Sequence, residues 1–224
     1  MGLPKIGYTK VIDTMFNSTY GIFGIIIGVM STFIIIFVIF GGFLAHSQAG
    51  NFFIKLAYAL TGHKVGGPAK VAVVASGAMG MVSGAAAANV ATTGVFTIPL
   101  MKKVGYRPEF AGAVEASASM GGQFMPPIMG AAAFIIAQQL RIPYISLCFY
   151  ALPAALLHFF AVSMMVHFEA QKRNLPVISK EKLPNAWQII KNQGHLFLPV
   201  IIIIFLLVRG NTPQTAGFWA VISV

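Results

Sequence analysis

Between Lys70 and Lys102 the chain runs for 31 residues (71–101) without a charged side chain. As one α-helix that stretch would be about 46 Å long at 1.5 Å per residue. The hydrocarbon core of a bilayer is only about 30 Å thick. Both flanks are basic, with Lys64 and Lys70 before it and Lys102, Lys103 and Arg107 after it. A single span would put positive charge on both sides of a membrane, against the usual bias toward one side. A re-entrant hairpin over 69–103, folded back near Ser83-Gly84, puts all of it on one side and removes the excess length. The competing fold is one long tilted helix that uses its small residues as a packing face.

That lipid is the solvent follows from composition. The chain is 57% hydrophobic and 9% charged, where a soluble domain carries about a quarter charged residues. Its net charge of +10 comes from basic residues placed singly or in pairs at the ends of apolar runs. That is the membrane-topology pattern, not a stripe that tracks phosphates, so nucleic acid is not an expected partner and the lipid bilayer is. Cys148 is the only cysteine, which excludes a disulfide framework within the chain.

Other spans follow from run length. Residues 20–44 are almost uninterrupted apolar sequence, and 143–168 and 196–208 are further spans. A short helix at 183–192 with Trp187 suits the membrane interface. Residues 216–224 read as the start of another span, so a piece of a longer protein is expected. The basic loop with Lys172, Arg173, Lys180, Lys182 and Lys191 marks the cytoplasmic side. Counting back, the hairpin opens to the cytoplasm.

Residues 108–140 form a broken helix. Pro108 suits a first helical turn and Glu109 the N-terminal end of the dipole. A helix is expected to about Met120. Gly121-Gly122-Gln123-Phe124-Met125-Pro126-Pro127 must then unwind it, because proline removes a donor and its ring blocks the preceding turn. The helix is expected to restart near Pro127. Unwound backbone at membrane depth is tolerated where it is buried or lines a polar cavity.

Two polar, glycine-rich breaks in successive units point to a site. Freed carbonyls can ligate a hard cation, and the helix N-termini beside each break suit an anionic solute. The expected ion-binding set is Ser83, Gly84, Asn89, Ser119, Gly121 and Gly122. The expected solute-binding set is Asn89, Thr92, Gln123, Met125 and Pro126. Thr93 and Ser117 add oxygens nearby. Taken singly, each serine and threonine is expected to bond back to its own helix. Glu115, at membrane depth, needs a partner or a proton and is a candidate for proton coupling. His158 reads as a hydrogen-bonded packing residue. No cofactor is expected beyond the coupling ion, Na+ or H+. No catalytic motif is present, such as GxSxG, HExxH or a phosphate loop, so the chain is not expected to be an enzyme.

The runs Ser83–Lys102 and Ala111–Gly130 resemble the large membrane (permease) subunit of tripartite ATP-independent periplasmic (TRAP) transporters. The wording is nearest the fused permeases of the TAXI branch. The resemblance covers 20–209 and implies an all-α, elevator-type secondary transporter with inverted repeats, of which this chain holds the first. It implies gradient-driven import of organic acids such as C4-dicarboxylates. It also implies a periplasmic solute-binding protein and a small TRAP membrane subunit region, fused or separate, as partners. The bacterial or archaeal cytoplasmic membrane is the implied location. In that picture the tip 83–89 and the break 121–127 build one ion site and half of a solute site. Alanines stand at tip positions where relatives carry more polar residues, so backbone ligation is expected to outweigh side-chain ligation there. The alternative function is a non-transporting scaffold. It would explain the small residues but not two polar breaks at matching depth.

Overall fold

The computed structural model describes residues 7–19, 21–177 and 183–224. Tyr20, at the start of the first expected span, and Lys180 and Lys182 of the basic loop lie outside the described residues. Every described element is helical, with no strand among the described residues. Three helical stretches are long and apolar enough to cross a membrane: Ile25–Leu44, Tyr144–Lys172 and Ala186–Val208, with mean hydropathies of 2.6, 2.0 and 1.8. The chain is an all-α membrane protein.

Helix α1 (Tyr8–Phe16) precedes the first long stretch. That stretch is α2 (Ile25–Val29), a π-helical turn at Met30–Ile34, and α3 (Ile35–His46). The Ser31 and Thr32 hydroxyls both donate to the Gly28 carbonyl, at 3.1 and 2.6 Å. Such back-bonding competes with the α ladder and accounts for the widened turn. Helix α4 (Ala49–Thr61) is amphipathic and buries Phe52, Phe53 and Ala57.

The long uncharged stretch is two helices, α5 (Gly67–Ser83) and α6 (Ala86–Lys103). Gly84 ends α5 in the left-handed region (φ 63°), a conformation glycine adopts without a Cβ penalty. Ala85 is extended and opens α6. The two helices run back along one another, and Met101 near the end of α6 clusters with Ala69, Ala72 and Val73 near the start of α5.

Helix α7 (Pro108–Gly122) and α8 (Ala131–Leu140) flank the second break. The restart is four residues later than Pro127. Met129 takes a positive φ of 59°, and the Gly130 N–H turns back to the Gln123 carbonyl at 2.6 Å. That bond closes the unwound segment on itself, so a helix cannot begin until Ala131. Helix α9 (Tyr144–Lys172) is the longest. Helix α10 (Ala186–Gln193), capped by the Asn185 side chain on the Trp187 N–H, continues through a 3-10 turn at Gly194–Phe197 into α11 (Leu198–Val208). The interfacial and spanning segments are therefore one helical run. Helix α12 (Pro213–Ile222) packs on α11 and α3.

The packing that positions the site is α5 against α4, α6 and α7, with α9 behind α5 and α7. At the loop end, Tyr106 is buried and its hydroxyl donates to the Val166 carbonyl of α9 at 3.4 Å. Burial, with the Glu169 carboxyl as the smaller contribution, pushes the Tyr106 phenol up to about 12. It thus remains an O–H donor at any physiological pH and ties the α6–α7 loop to α9.

Candidate functional site

The hairpin tip sits on the break. A Cβ built on Gly84 would lie 2.3 Å from the Met129 carbonyl oxygen, and one on Gly130 would lie 3.1 Å from the Gly84 oxygen. One turn below, α5 and α7 touch backbone to backbone: a Cβ on Gly122 would meet the Gly80 Cα at 2.5 Å. Gly121 makes the same kind of contact with the His158 ring on α9. Only hydrogens occupy these contacts, which is why residues without a side chain stand at 80, 84, 121 and 122.

Behind this seam lies a polar cluster with no solvent exposure: Ser76, Asn89, Thr93, Thr97, Glu115 and Ser119. Asn89, Thr93 and Thr97 recur every four residues on α6, and Glu115 and Ser119 do so on α7, so each set forms one stripe. Glu115 Oε1 accepts from Ser76 at 2.9 Å, from Thr93 at 2.5 Å and from Ser119 at 3.4 Å. Its Oε2 accepts from Thr97 at 2.6 Å. Every neighbour donates, the arrangement that suits an acceptor-only carboxylate. No basic side chain pairs with it among the described residues.

The Asn89 amide nitrogen is held by the Ser76 carbonyl at 2.8 Å, the Ser76 hydroxyl at 2.9 Å and the Ser119 hydroxyl at 3.1 Å. Its oxygen has no hydrogen-bond partner although it is buried, and neither has the buried Ser83 Oγ. A buried acceptor without a partner costs about 1–3 kcal/mol, so these two oxygens call for an occupant. The backbone of the break is better satisfied. Gln123 O takes the Gly130 N–H, Pro127 O faces the Cys148 thiol at 3.7 Å, and Ile128 O takes the Tyr144 hydroxyl. His158 Nε2 lies 2.9 Å from the Ser117 carbonyl. Two of the break's carbonyls, at Pro127 and Ile128, are thus already faced by α9 side chains.

Gly84 meets the break at Met129, Gly122 meets Gly80 of α5 and Ser119 bonds Asn89, whereas Gly121 packs on His158 of α9 and Ser83 lies beside Gly41 of α3. Gln123, Met125 and Pro126 lie in the break and are partly exposed. Thr92 does not join them: its hydroxyl bonds back to Ala88 O at 2.8 Å and its methyl faces Gly50 of α4. Ser76 and Thr97 were not among the expected residues. The four-residue recurrence from Asn89 through Thr97 was the signal for Thr97. Ser76 has no such signal, since only the fold-back of the hairpin brings it to α6.

A family model described as "Tripartite ATP-independent periplasmic transporter, DctM component" matches residues 8–224. The chain is 30% identical over 183 residues to the 2,3-diketo-L-gulonate TRAP transporter large permease protein YiaN of Escherichia coli (strain K12). It is 27% identical over 182 residues to a putative TRAP transporter large permease protein of Haemophilus influenzae. Each alignment covers 81% of this chain and 42% of the relative, so the match spans less than half the length of these proteins. With the family match over nearly its whole length, the chain belongs to the large permease (DctM) component of the TRAP transporters.

Proposed function

We propose that this chain supplies one ion site and half of the solute site of an ion-gradient-driven permease that imports organic acids. The observation that carries the reading is the pair of buried, unpartnered oxygens, Asn89 Oδ1 and Ser83 Oγ, at a docked tip and break. Two side-chain oxygens beside a carboxyl-anchored cluster suit a hard cation such as Na+; H+ is the other candidate coupling ion, with Glu115 as its carrier. The first turns of α6 and α8 have no side-chain cap, which leaves N–H groups free for an anionic solute at Asn89, Gln123, Met125 and Pro126. The substrate class is a carboxylate. C4-dicarboxylates fit it, and so does a sugar acid of the kind in one relative's name. A periplasmic solute-binding protein would deliver it, and a small TRAP membrane subunit region, fused or separate, would complete the assembly in a bacterial or archaeal cytoplasmic membrane. Helices α5 and α6 would be a re-entrant hairpin of an elevator-type fold.

The test is uptake of radiolabelled dicarboxylates and sugar acids into proteoliposomes. These would hold the intact permease and its loaded binding protein, under a sodium gradient or a pH gradient. Uptake that depends on one gradient is expected. Asn89→Ala and Gln123→Ala each abolish it while the protein still inserts. Unchanged uptake in both variants would remove the site assignment, and no uptake by the parent under either gradient would remove the transport reading. Re-entrancy has its own check. Cysteines at Lys64 and Lys103, both exposed, should react with a membrane-impermeant maleimide from the same, cytoplasmic side; labelling from opposite sides means a plain span.

A further inference from the structure

We infer that α1 (Tyr8–Phe16) is an interfacial anchor, lying at the bilayer surface with its apolar face in lipid, beside the point where the first span enters. This goes beyond the transport reading and does not depend on it.

The helix is sorted without exception. At about 100° per residue, Tyr8, Val11, Ile12, Met15 and Phe16 fall within an arc of about 140°, and Thr9, Lys10, Asp13 and Thr14 fill the rest. The polar face bonds to its own chain. The Thr14 hydroxyl donates to the Lys10 carbonyl at 2.8 Å, and the Asn17 amide donates to the Asp13 carboxylate at 2.9 Å. None of the nine residues of α1 is buried. On the apolar face Tyr8 is 90% exposed, Ile12 57% and Phe16 52%. A helix this short does not hold in water by propensity alone, and a contiguous exposed apolar patch marks a surface that meets a partner.

Where α1 is fixed identifies that partner as lipid. The Ile22 N–H donates to the Met15 carbonyl at 2.8 Å, and the Phe16 and Phe23 rings lie 6.5 Å apart. A Cβ on Gly21 would lie 2.2 Å from the Met15 carbonyl oxygen, so only a glycine lets the chain double back this closely on the last turn of α1. Two residues after Phe23 the first membrane-crossing stretch begins, Ile25–Leu44. Ile22, Phe23, Ile25, Ile26, Ile27 and Met30 are all exposed. Through Phe16 and Phe23 the apolar face of α1 therefore continues into the lipid-facing surface of that span.

The charges set the depth. Lys10 and Asp13, on the opposite face, are costly in hydrocarbon, so the helix stops at the level of the headgroups. The two charges also cancel. Burial of apolar surface, rather than attraction to anionic headgroups, is then what holds the helix there.

The experiment is a spin-label depth measurement on the intact permease in vesicles, with its native cysteines replaced. Nitroxides on Ile12→Cys and on Thr14→Cys, which leave both charges in place, are compared. The readout is collision with oxygen, which concentrates in lipid, and with a water-soluble nickel chelate. The Ile12 label is expected at a depth of about 5–10 Å, at the boundary between headgroups and acyl chains, with oxygen the dominant collider. The Thr14 label is expected on the water side, with nickel dominant. The Ile12 depth should be the same in phosphatidylcholine vesicles and in vesicles rich in phosphatidylglycerol; a depth reached only with the anionic lipid would overturn the account. Nickel dominating at both positions means a helix in water. An Ile12 label shielded from both colliders means that protein, not lipid, covers the face. Either result overturns the inference. If the Ile12 label impairs insertion, Val11→Cys and Thr9→Cys repeat the comparison from the same two faces. None of these residues belongs to the ion or solute site, so the anchor and the transport reading can fail separately.

Discussion

Gly122→Ala is expected to lower the stability of the chain by about 2–4 kcal/mol, at and beyond the upper range for overpacking a tight contact. The added methyl would lie 2.5 Å from the Gly80 Cα and 2.8 Å from the Gly80 carbonyl carbon. Both are backbone atoms, so no side chain can swing away. Helices α5 and α7 must part, and a gap of about 0.5–1 Å already forfeits a quarter to a half of each dispersion contact along the seam. The seam is also what holds the polar cluster shut, so water would reach Asn89 and Glu115. Gly112→Ala is the control within the same helix. Nothing lies within 4 Å of its added Cβ, and replacing glycine inside a helix gains about 0.5–1 kcal/mol. Thermal unfolding in detergent reads both. Gly122→Ala should fall on the order of 6 °C or more below the parent, and Gly112→Ala should match or exceed it. A Gly122→Ala transition at the parent's temperature would mean that α5 and α7 do not share this seam.

How far such contacts can be foreseen from sequence differs from element to element. The turn at Ser83-Gly84 was legible because length and flanking charge demanded a fold-back and glycine marked where. The break after α7 was legible in its two glycines and two prolines, but its end was not. Pro127 permits a helix to start, and only the Gly130 N–H closing on Gln123 O postpones it to Ala131. The cluster around Glu115 was half legible. Asn89 with Thr93, and Glu115 with Ser119, stand at helical spacing. Thr92 and Thr93 straddle the same stripe on α6, and which of them faces Glu115 depends on α4 covering the other side. Ser76 depends on a pairing across the hairpin, thirteen residues from Asn89, that no local pattern carries. The bonding of the break has the same origin: its carbonyls read as open ligands until α9 delivers Tyr144 to the Ile128 carbonyl and Cys148 to the Pro127 carbonyl.

Gly84→Ala should separate two physical causes at the tip when set beside Gly84→Asn. Gly84 has φ of 63°, where an alanine pays about 1–2 kcal/mol and asparagine pays less, because its side chain bonds locally in that region. Backbone conformation alone would therefore make asparagine the milder change. The space around Gly84 argues otherwise. Any Cβ there would sit 2.3 Å from the Met129 carbonyl oxygen, and that oxygen belongs to a loop pinned by neighbouring bonds at Ile128 and Gly130. Both variants must lift the tip off the break, and asparagine, being larger, gains nothing from its tolerance of positive φ. The expected result is that both variants abolish uptake by the intact permease while still inserting, and that asparagine is no better than alanine. The physical sign is exposure of the junction. A cysteine at Ser83, buried behind the docked tip in an otherwise unchanged permease, should react slowly with a small maleimide and at least tenfold faster when either substitution is added, a difference of about 1.4 kcal/mol in the docking equilibrium. If asparagine retains transport and slow labelling while alanine does not, the glycine is there for its backbone angle alone, and the contact between tip and break is looser than the Gly84–Met129 approach implies.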